Sequence, residues 1–183
     1  DHDELFGDQG DDILIGGLGA DRFFGGVGVD RVDYSARTEN LVLAINVASG
    51  AAAENDFINA DIENFRGGSG NDRIEGNGLA NELLGNGGND FIFGSAGNDV
   101  MNGGAGDDQM IGGSGDDAMT GGAGNDQLFG TGGADNLAGD DGNDLLVGGS
   151  GVDGFNGGAG NDFFDATDGN FNENLVGGAG FDT

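Results

Sequence analysis

The sequence of 183 residues contains no cysteine and no lysine, and its only histidine is His2. Without cysteine no disulfide can staple the fold, and this absence is compatible with any cellular compartment. A single histidine beside the first residue excludes Ser–His–Asp catalysis, and we expect His2 to be a solvent-exposed end residue. Glycine-rich turns that no lysine follows do not form a phosphate-binding loop. The sequence therefore offers no recognisable catalytic set.

Long apolar runs and basic residues are also scarce. No run is long enough to span a bilayer, and the N-terminus lacks the basic and then apolar order of a secretory signal. The formal net charge of -29 argues against nucleic acid and anionic membranes as partners. With 44 glycines and no proline, the acidic composition alone would be typical of a disordered linker.

The glycines, however, recur with a strict period of nine. From Gly67 to Asp165 the chain contains eleven consecutive copies, with glycine at positions 1, 2 and 4, aspartate at position 6 and an apolar residue at position 8. The segment Gly121–Phe129 (GGAGNDQLF) shows the pattern in full, and three further copies begin at Gly7, Gly16 and Gly25. A fixed period of this kind decides the architecture before any local pattern does.

Positions 1 to 6 of each copy predict a tight turn, and positions 7 to 9 predict a short strand. Glycine permits positive φ and close approach of other atoms, and the frequent Asn or Asp at position 5 tolerates turns and left-handed geometry. Position 8 should point inward, because neighbouring strand residues face opposite ways. One apolar residue per unit cannot form a core alone, so the units must stack. We predict an all-β fold, a right-handed parallel β-roll with eighteen residues per coil, whose core contains Leu14, Phe23, Val32, Ile74, Leu83, Ile92, Met101, Met110, Met119, Leu128, Leu137, Leu146, Phe155 and Phe164.

Stacking would place the position-6 aspartates in two columns, with copies n and n+2 as neighbours. Carboxylates this close repel each other unless a cation lies between them, and Ca²⁺ accepts backbone carbonyls together with carboxylates. From Ile74 onward the chain has 19 Asp or Glu and no basic residue. About nine Ca²⁺ ions between the eleven copies would neutralise this part almost alone. The candidate carboxylate ligands are Asp12, Asp21, Asp30, Asp72, Asp90, Asp99, Asp108, Asp117, Asp126, Asp135, Asp144, Asp153 and Asp162.

The array resembles the RTX, or haemolysin-type, calcium-binding repeats of proteins secreted by Gram-negative bacteria. The resemblance covers residues 67–165 densely and 7–33 clearly. It implies Ca²⁺ ions between stacked loops, such as those that end at Asp90 and Asp108, and type I secretion of an unfolded chain that folds outside the cell. The glycines whose loop carbonyls it implies as further ligands are Gly85, Gly88, Gly97, Gly104, Gly106, Gly113, Gly115, Gly122, Gly124, Gly133, Gly142, Gly149, Gly151, Gly158 and Gly160.

Some copies depart from the pattern. The copy that begins at Gly76 has Leu79 in place of a glycine and Asn81 in place of the aspartate, which makes its sites doubtful. Thr131 and Asp140 replace position-2 glycines, a milder change if the backbone carbonyl is the ligand.

The repeat becomes irregular after Asp165. A degenerate copy follows, with Asp168, Phe171 and Glu173 at positions 1, 4 and 6, and it predicts no regular site. Gly177–Asp182 begins another regular copy, and the chain stops within it, which we interpret as a fragment of a longer roll.

We divide the chain into N-terminal repeats (residues 1–33), an interruption without repeats (34–66) and the main roll (67–183, irregular after 165). The segment 41–47 is rich in β-branched residues and strand-like, and residues 61–65 lead back into the repeats. We interpret the interruption as irregular β turns continuous with the roll; the alternative is a separate small subdomain.

The outward positions 7 and 9 differ between the two faces of the predicted roll. One face carries apolar residues on alternate copies, and the other carries small or polar residues. Scattered exposure of apolar residues is ordinary, whereas a contiguous row would mark a contact surface for a neighbouring domain or a second copy. The row is Phe93, Ile111, Phe129 and Val147.

Pairs such as Asp107–Asp108 could act as an acid/base dyad only if their environments differed, and here every copy is alike. We therefore expect a non-enzymatic calcium-binding module that is secreted or at the cell surface. Two alternatives remain: a structural, self-assembling element of an adhesin, surface layer or filament, and a C-terminal carrier module of a secreted enzyme whose catalytic domain lies outside this chain.

Overall fold

The computed structural model describes residues 2–45, 48–51, 55–165 and 174–183, and every regular element in this part is a β-strand. The N-terminal strands are β1 (Glu4–Gln9), β2 (Ile13–Leu14), β3 (Arg22–Val27) and β4 (Arg31–Asp33). The interruption contains β5 (Leu41–Leu43), β6 (Ala48–Ala51), β7 (Asp56–Ile58) and β8 (Asn64–Arg66). The main roll contains β9 (Arg73–Glu75), β10 (Glu82–Gly87), β11 (Phe91–Ala96), β12 (Val100–Ala105), β13 (Gln109–Ser114), β14 (Ala118–Ala123), β15 (Gln127–Gly132), β16 (Asn136–Asp141), β17 (Leu145–Ser150), β18 (Gly154–Ala159), β19 (Phe163–Asp165) and β20 (Asn174–Ala179).

Successive strands of the repeats alternate between two sheets. One sheet has 11 strands in the order β1-β3-β7-β6-β5-β9-β11-β13-β15-β17-β19, and the other has 9 in the order β2-β4-β8-β10-β12-β14-β16-β18-β20. Repeat strands pair in parallel with the strand two copies on, so that Ile92 lies beside Met110 and Met110 beside Leu128. The predicted all-β, parallel β-roll with eighteen residues per coil is confirmed. Among the described residues, none forms a helix of the length and apolarity that a bilayer span requires.

The strands are longer than the sequence predicts. Each regular strand has six residues and continues through positions 1 to 3 of the following copy, as in Phe91–Ala96, so the prediction that positions 1 to 6 form the turn is wrong. The parallel pairing continues round the bend. Ser95 and Ala96 still pair with Gly113 and Ser114 one coil on. Only positions 4 to 6 remain as the turn.

The core lies between the two sheets. It consists of the position-8 side chains of the repeats together with residues of the interruption, which are Tyr34, Leu41, Leu43, Ile58, Ile62 and Phe65. The predicted residues from Leu14 to Phe155 are at most 6% exposed, and Phe164 packs against them while partly buried. The second inward residue of each strand is the position-1 glycine of the next copy, as the buried Gly94 and Gly112 show. The core is therefore narrow, and the backbones of the turns lie close to it.

The interruption adds strands to both sheets. Strand β7 pairs in parallel with β3, β5 with β9, and β8 with both β4 and β10. Strand β6 lies between β5 and β7 and is antiparallel to both. Of the predicted strand 41–47, residues 41–43 are a strand, and 46–47 lie outside the described residues.

Candidate metal centres

The position-6 aspartates close each turn and fold inward. Twelve of the thirteen candidate carboxylates are at most 3% exposed, and Asp12 is partly buried. In the main roll Oδ1 accepts the backbone N–H of the position-6 residue one coil back. The N–H of Asp90 donates to Asp108 Oδ1 at 2.7 Å, and that of Asp126 donates to Asp144 Oδ1 at 2.8 Å. This ladder fixes each carboxylate in place.

The second carboxylate oxygen, Oδ2, has no hydrogen-bond partner in most copies. A buried polar oxygen without a donor is costly, and such groups in native proteins usually have a partner or an ion. The aspartates whose buried Oδ2 lacks a partner among the described residues are Asp12, Asp21, Asp30, Asp90, Asp99, Asp108, Asp117, Asp126, Asp135, Asp144 and Asp162.

The position-1 glycines leave the space that Oδ2 occupies. A Cβ on Gly85 would collide with Oδ2 of Asp90 and would press on the carbonyl oxygen of Gly103 in the next coil. Any side chain at position 1 would therefore displace the carboxylate. This steric demand, rather than left-handed backbone, requires glycine there.

The α-carbon of a position-4 glycine lies against the carbonyl oxygen of the position-4 glycine one coil back. Gly106 has φ 128°, and a Cβ there would collide with the carbonyl oxygen of Gly88 in the coil below. The position-2 carbonyl of Gly104 likewise faces Gly122. In the described part of the chain, no hydrogen bond reaches the position-4 carbonyl oxygens of Gly88, Gly97, Gly106, Gly115, Gly124, Gly133 and Gly142.

The spaces between successive loops are thus bordered by two kinds of oxygen acceptor that lack donors. Hard divalent cations take carboxylate and carbonyl oxygens, and Ca²⁺ accepts irregular arrangements of them. Among the described residues, no three or more His, Cys, Asp or Glu side chains lie close enough together to hold a metal by themselves. The residues fit Ca²⁺ only if backbone carbonyls take part, as the sequence predicts.

Burial raises the pKa of these carboxyl groups. The pKa of Asp90 rises to about 8, that of Asp126 to about 7, and those of Asp108, Asp117 and Asp135 to about 6. Loss of hydration is the largest cause, backbone hydrogen bonds to the carboxylates oppose it, and neighbouring carboxylates add to it. Without a cation, the position-6 carboxyl groups therefore favour their protonated form.

A second ladder at position 5 is a feature that sequence reasoning missed. The N–H of Asn125 donates to Oδ1 of Asp107, and the N–H of Asn143 donates to Oδ1 of Asn125. The amide groups of Asn125 and Asn143 donate along the same column. No described position-5 residue has positive φ, so Asn and Asp occur there to bridge coils. The sequence signal that could have revealed this ladder is the recurrence of Asn or Asp at position 5.

The copy that begins at Gly76 has a different arrangement. Asn81 takes the place of the aspartate, and its Nδ2 donates to the carbonyl oxygen of Glu63 at 2.6 Å. In the preceding copy, Asp72 Oδ2 accepts the N–H of Gly68, so this carboxylate differs from those further along. That the sites of this copy are doubtful stays a prediction.

Thr131 and Asp140 keep the backbone of the position-2 glycines that they replace. Thr131 and Asp140 have φ 80° and 70°, and the carbonyl oxygens of both face the next coil at Gly149 and Gly158. The carbonyl direction is therefore preserved.

The ends of the array extend beyond the regular copies. Asp3 stands at position 6 of a preceding copy and donates its N–H to Asp21 Oδ1. His2 is exposed, and its Nδ1 accepts the N–H of Ala20. The degenerate copy with Asp168, Phe171 and Glu173 lies outside the described residues. Asp182 Oδ1 accepts the N–H of Asp162 at 3.2 Å.

A parallel β-roll with buried carboxylates and unbonded carbonyls between its turns is a cation-binding roll. Comparison with known families agrees. A family described as RTX calcium-binding nonapeptide repeat (4 copies) matches residues 1–32, 57–92, 75–110, 84–119, 93–128, 129–164 and 167–183. The matches cover most of the chain, which belongs to this family, and its repeats bind Ca²⁺ ions. The comparison with curated proteins finds no match.

Proposed function

We propose that the chain is a module that folds when Ca²⁺ enters the spaces between its stacked loops. The observation that carries this proposal is the set of buried Oδ2 atoms without partners. Ions at these positions would remove the repulsion within each column and satisfy acceptors that no protein donor reaches. Because the unfolded chain holds no such site, the free energy of binding would become free energy of folding.

Each ion would be held by residues of two consecutive coils. For the loops that end at Asp90 and Asp108, the ligands would be the two carboxylates and the carbonyls of positions 2 and 4, such as Gly88 and Gly104. The same set would repeat along both edges of the roll up to Asp162. Support comes from the carbonyl of Gly88, which faces the next coil without a donor. In the copy with Asn81 the ligand set is one carboxylate short.

Folding on Ca²⁺ would suit a protein that acts outside the cell. Extracellular calcium modules bind at about 0.1–1 mM, so a chain of this kind would stay unfolded in the cytosol and fold after export. Type I secretion, as the family resemblance implies, would use this difference. We propose a secreted or cell-surface location and a non-enzymatic role for the module itself. A structural element of an adhesin or surface layer, and a carrier for a catalytic domain, remain as alternatives.

A calcium titration followed by far-UV circular dichroism tests the proposal. Starting from chelator, we expect a cooperative change from coil to β near millimolar Ca²⁺ and none with Mg²⁺, which demands a stricter geometry. A full β spectrum in chelator would show that the roll folds unaided and would contradict the proposal.

A second proposal concerns the outer face of the 11-stranded sheet. Phe93 lies beside Ile111, Ile111 beside Phe129, and Phe129 beside Val147, and all four are partly buried. This contiguous row favours a contact surface over scattered exposure. We propose that it supports self-association of the folded roll in Ca²⁺, which the oligomeric state of variants tests at the scale of the sheet.

A further inference from the structure

Five residues at position 2 are not glycine, although the backbone there is left-handed. Their φ angles lie between 67° and 85°, a region that glycine enters freely and other residues enter at a loss of free energy. Each of the five has a polar side chain, and they are Asp8, Asn86, Ser95, Thr131 and Asp140. Since the backbone favours glycine at this position, any gain from these residues must come from their side chains.

The side chain at position 2 extends towards the preceding loop on the same edge of the roll. A Cβ on Gly122 would lie 2.1 Å from the carbonyl oxygen of Gly104, one coil back. Thr131 shows the contact that results, because its hydroxyl donates to the carbonyl oxygen of Gly113, also one coil back. Position-2 side chains therefore enter the space between two successive loops, where the ions are proposed to bind.

Asp140 brings a different chemical group to this position. Asn86 and Thr131 are hydrogen-bond donors, and each donates to a loop carbonyl one coil back, Asn86 to that of Gly67 at 2.6 Å. Asp140 pairs in register with Gly122, so its side chain extends towards the carbonyl of Gly122. An ionised carboxylate has no hydrogen to donate, and two oxygen acceptors that face each other repel unless a cation lies between them.

The Asp140 carboxylate is exposed and has no neutralising partner among the described residues. From Ile74 onward the chain has no basic residue, and in the described part of the chain no group donates a hydrogen bond to this side chain. The small residues that line the open depression beside it are Gly122, Ala123, Gly158 and Ala159. They leave room for an ion that keeps some of its bound water. A cation from solution is thus the partner that this carboxylate lacks.

The space that Asp140 faces is already bordered by two carboxylates. It lies between the loops Gly121–Asp126 and Gly139–Asp144. The Asp144 carboxylate extends into it, because its Oδ1 accepts the N–H of Asp126 at 2.8 Å, and the buried Oδ2 atoms of both aspartates have no partner among the described residues. Burial raises the pKa of Asp144, and nearby carboxylates, Asp140 among them, raise it further. Asp140 is therefore close enough to act on the same site.

We propose that Asp140 is a further carboxylate ligand of the ion between the loops Gly121–Asp126 and Gly139–Asp144. This ion is then held more tightly than the ion one copy earlier, between the loops Gly112–Asp117 and Gly130–Asp135. There, the Thr131 hydroxyl donates to a proposed ligand carbonyl and adds no charge, and the affinity of a Ca²⁺ site rises with the number of its charged ligands. The proposal rests on the proposed function, in which ions lie between the loops.

The test compares Asp140→Asn with a matched control, Asp141→Asn, in the full chain. Asparagine tolerates the left-handed backbone, as Asn86 shows at φ 74°, so the variant removes the charge and keeps the loop. Asp141 is also exposed and loses the same charge. It stands at position 3, however, where a Cβ, as on Gly87, would come no closer than 3.8 Å to the preceding coil.

A backbone amide reports on each of the two spaces. The N–H of Leu145 bonds to the Asp126 carbonyl, and that of Asn136 bonds to the Asp117 carbonyl. Free Ca²⁺ is lowered stepwise with a chelator, and hydrogen exchange is followed at both amides, because loss of protection marks local opening. In the unmodified chain we expect Leu145 to stay protected to lower free Ca²⁺ than Asn136.

In Asp140→Asn we expect Leu145 to lose protection at about tenfold higher free Ca²⁺, whereas Asp141→Asn should behave as the unmodified chain does. Asp140→Gly restores the residue that the backbone favours, so it would lower the Ca²⁺ requirement if Asp140 had only a structural role. We expect it to raise the requirement as well. Equal shifts in the two asparagine variants, or a lower requirement in Asp140→Gly, would overturn the proposal.

The unmodified chain separates this proposal from the proposed function. Protection of both amides in chelator alone would contradict the proposed function, and the role of Asp140 with it. Protection that needs Ca²⁺ but is the same in Asp140→Asn and in the unmodified chain would reject only the role of Asp140.

Discussion

At the scale of the residue, the two oxygens of each position-6 aspartate have different tasks. Oδ1 accepts a backbone N–H from the previous coil, as between Asp108 and Asp126, whereas in most copies Oδ2 lacks a donor among the described residues. Asparagine can fulfil the first task and not the second, since it offers one acceptor oxygen and an N–H₂ donor. Asn81 has a different arrangement from both, because its Oδ1 accepts the N–H of Asn77 in its own loop and its Nδ2 donates to the carbonyl oxygen of Glu63. We therefore propose that the charge at position 6 is needed for the ion.

Substitution of Asp108 separates these tasks. We expect Asp108→Asn to keep the fold at high Ca²⁺, to bind at least one ion fewer and to shift the folding midpoint to higher Ca²⁺, because the inter-loop ligand set loses a carboxylate. Calorimetric titration with Ca²⁺ measures both the number of ions and the affinity.

The neighbouring Asp107→Asn is the matched control. Asp107 is exposed, and its Oδ1 accepts the N–H of Asn125, as asparagine already does elsewhere in that column. The same charge is removed, and ion number should not change. Equal effects of the two variants would mean that only net charge matters and would contradict the assignment of Asp108 as a ligand.

Sequence alone could predict the columns of aspartates but not the contact between Arg37 and Gly17. The period of nine places copies n and n+2 together, and this is sufficient to identify Asp90 and Asp108 as neighbours. Arg37 lies in the segment without a period, and its Nη1 donates to the carbonyl oxygen of Gly17, 20 residues earlier in the chain. No local pattern encodes that pairing.

At the scale of the element, the strand is longer than its side-chain pattern indicates. Position 8 marks the apolar centre of each strand, and the sequence predicts this correctly. Positions 1 to 3 carry no alternating pattern, yet Gly113 and Ser114 pair in register with Thr131 and Gly132. The reason is that identical backbones stacked in parallel can bond at every residue, whatever their side chains. The period of the sequence describes the side chains, whereas the parallel pairing of the strands depends on the backbone.

The apolar row belongs to this scale because four consecutive strands contribute to it. We expect Phe93→Ser combined with Phe129→Ser to reduce self-association in Ca²⁺ and to leave ion number unchanged, since both side chains lie outside the core. Sedimentation velocity in Ca²⁺ measures the association.

The control for this pair is Val100→Ser with Val176→Ser. These valines are 52% and 50% exposed and lie on β12 and β20 of the other sheet, so association should not change. Loss of calcium-dependent folding in the phenylalanine variant would show that the row is part of the core. Association that persists in that variant would reject the row as the contact surface.

At the scale of the whole molecule, charge controls whether the roll forms. The chain has 34 acidic and 5 basic residues, and twelve candidate carboxylates are buried. Burial of so many charges without cations is unfavourable, which supports the proposal that the roll folds when Ca²⁺ binds. In this account the fold follows from the repeat, and its stability follows from the ions between the loops.

The pH dependence without calcium gives an independent test of this balance. The pKa of Asp90 is raised from 3.8 to about 8 and that of Asp126 to about 7. The folded chain therefore binds more protons than the unfolded chain between about pH 4 and pH 8. Stability from this source is fully present below about pH 4 and is lost as the pH rises through the raised pKa values.

In metal-free buffer we expect more β signal in circular dichroism at pH 5 than at pH 8. With Ca²⁺ the order reverses, because protons compete with the ion and the folding midpoint moves to higher Ca²⁺ as the pH falls. Loss of β signal on acidification of the calcium-free chain would show that the carboxylates are not the groups that hold it unfolded.

The most direct measurement is a calcium anomalous difference map from crystals grown in Ca²⁺. We expect peaks between successive loops, beside Oδ2 of aspartates such as Asp108 and Asp126. Peaks only at exposed position-5 carboxylates such as Asp107, with the spaces between loops empty, would contradict the account.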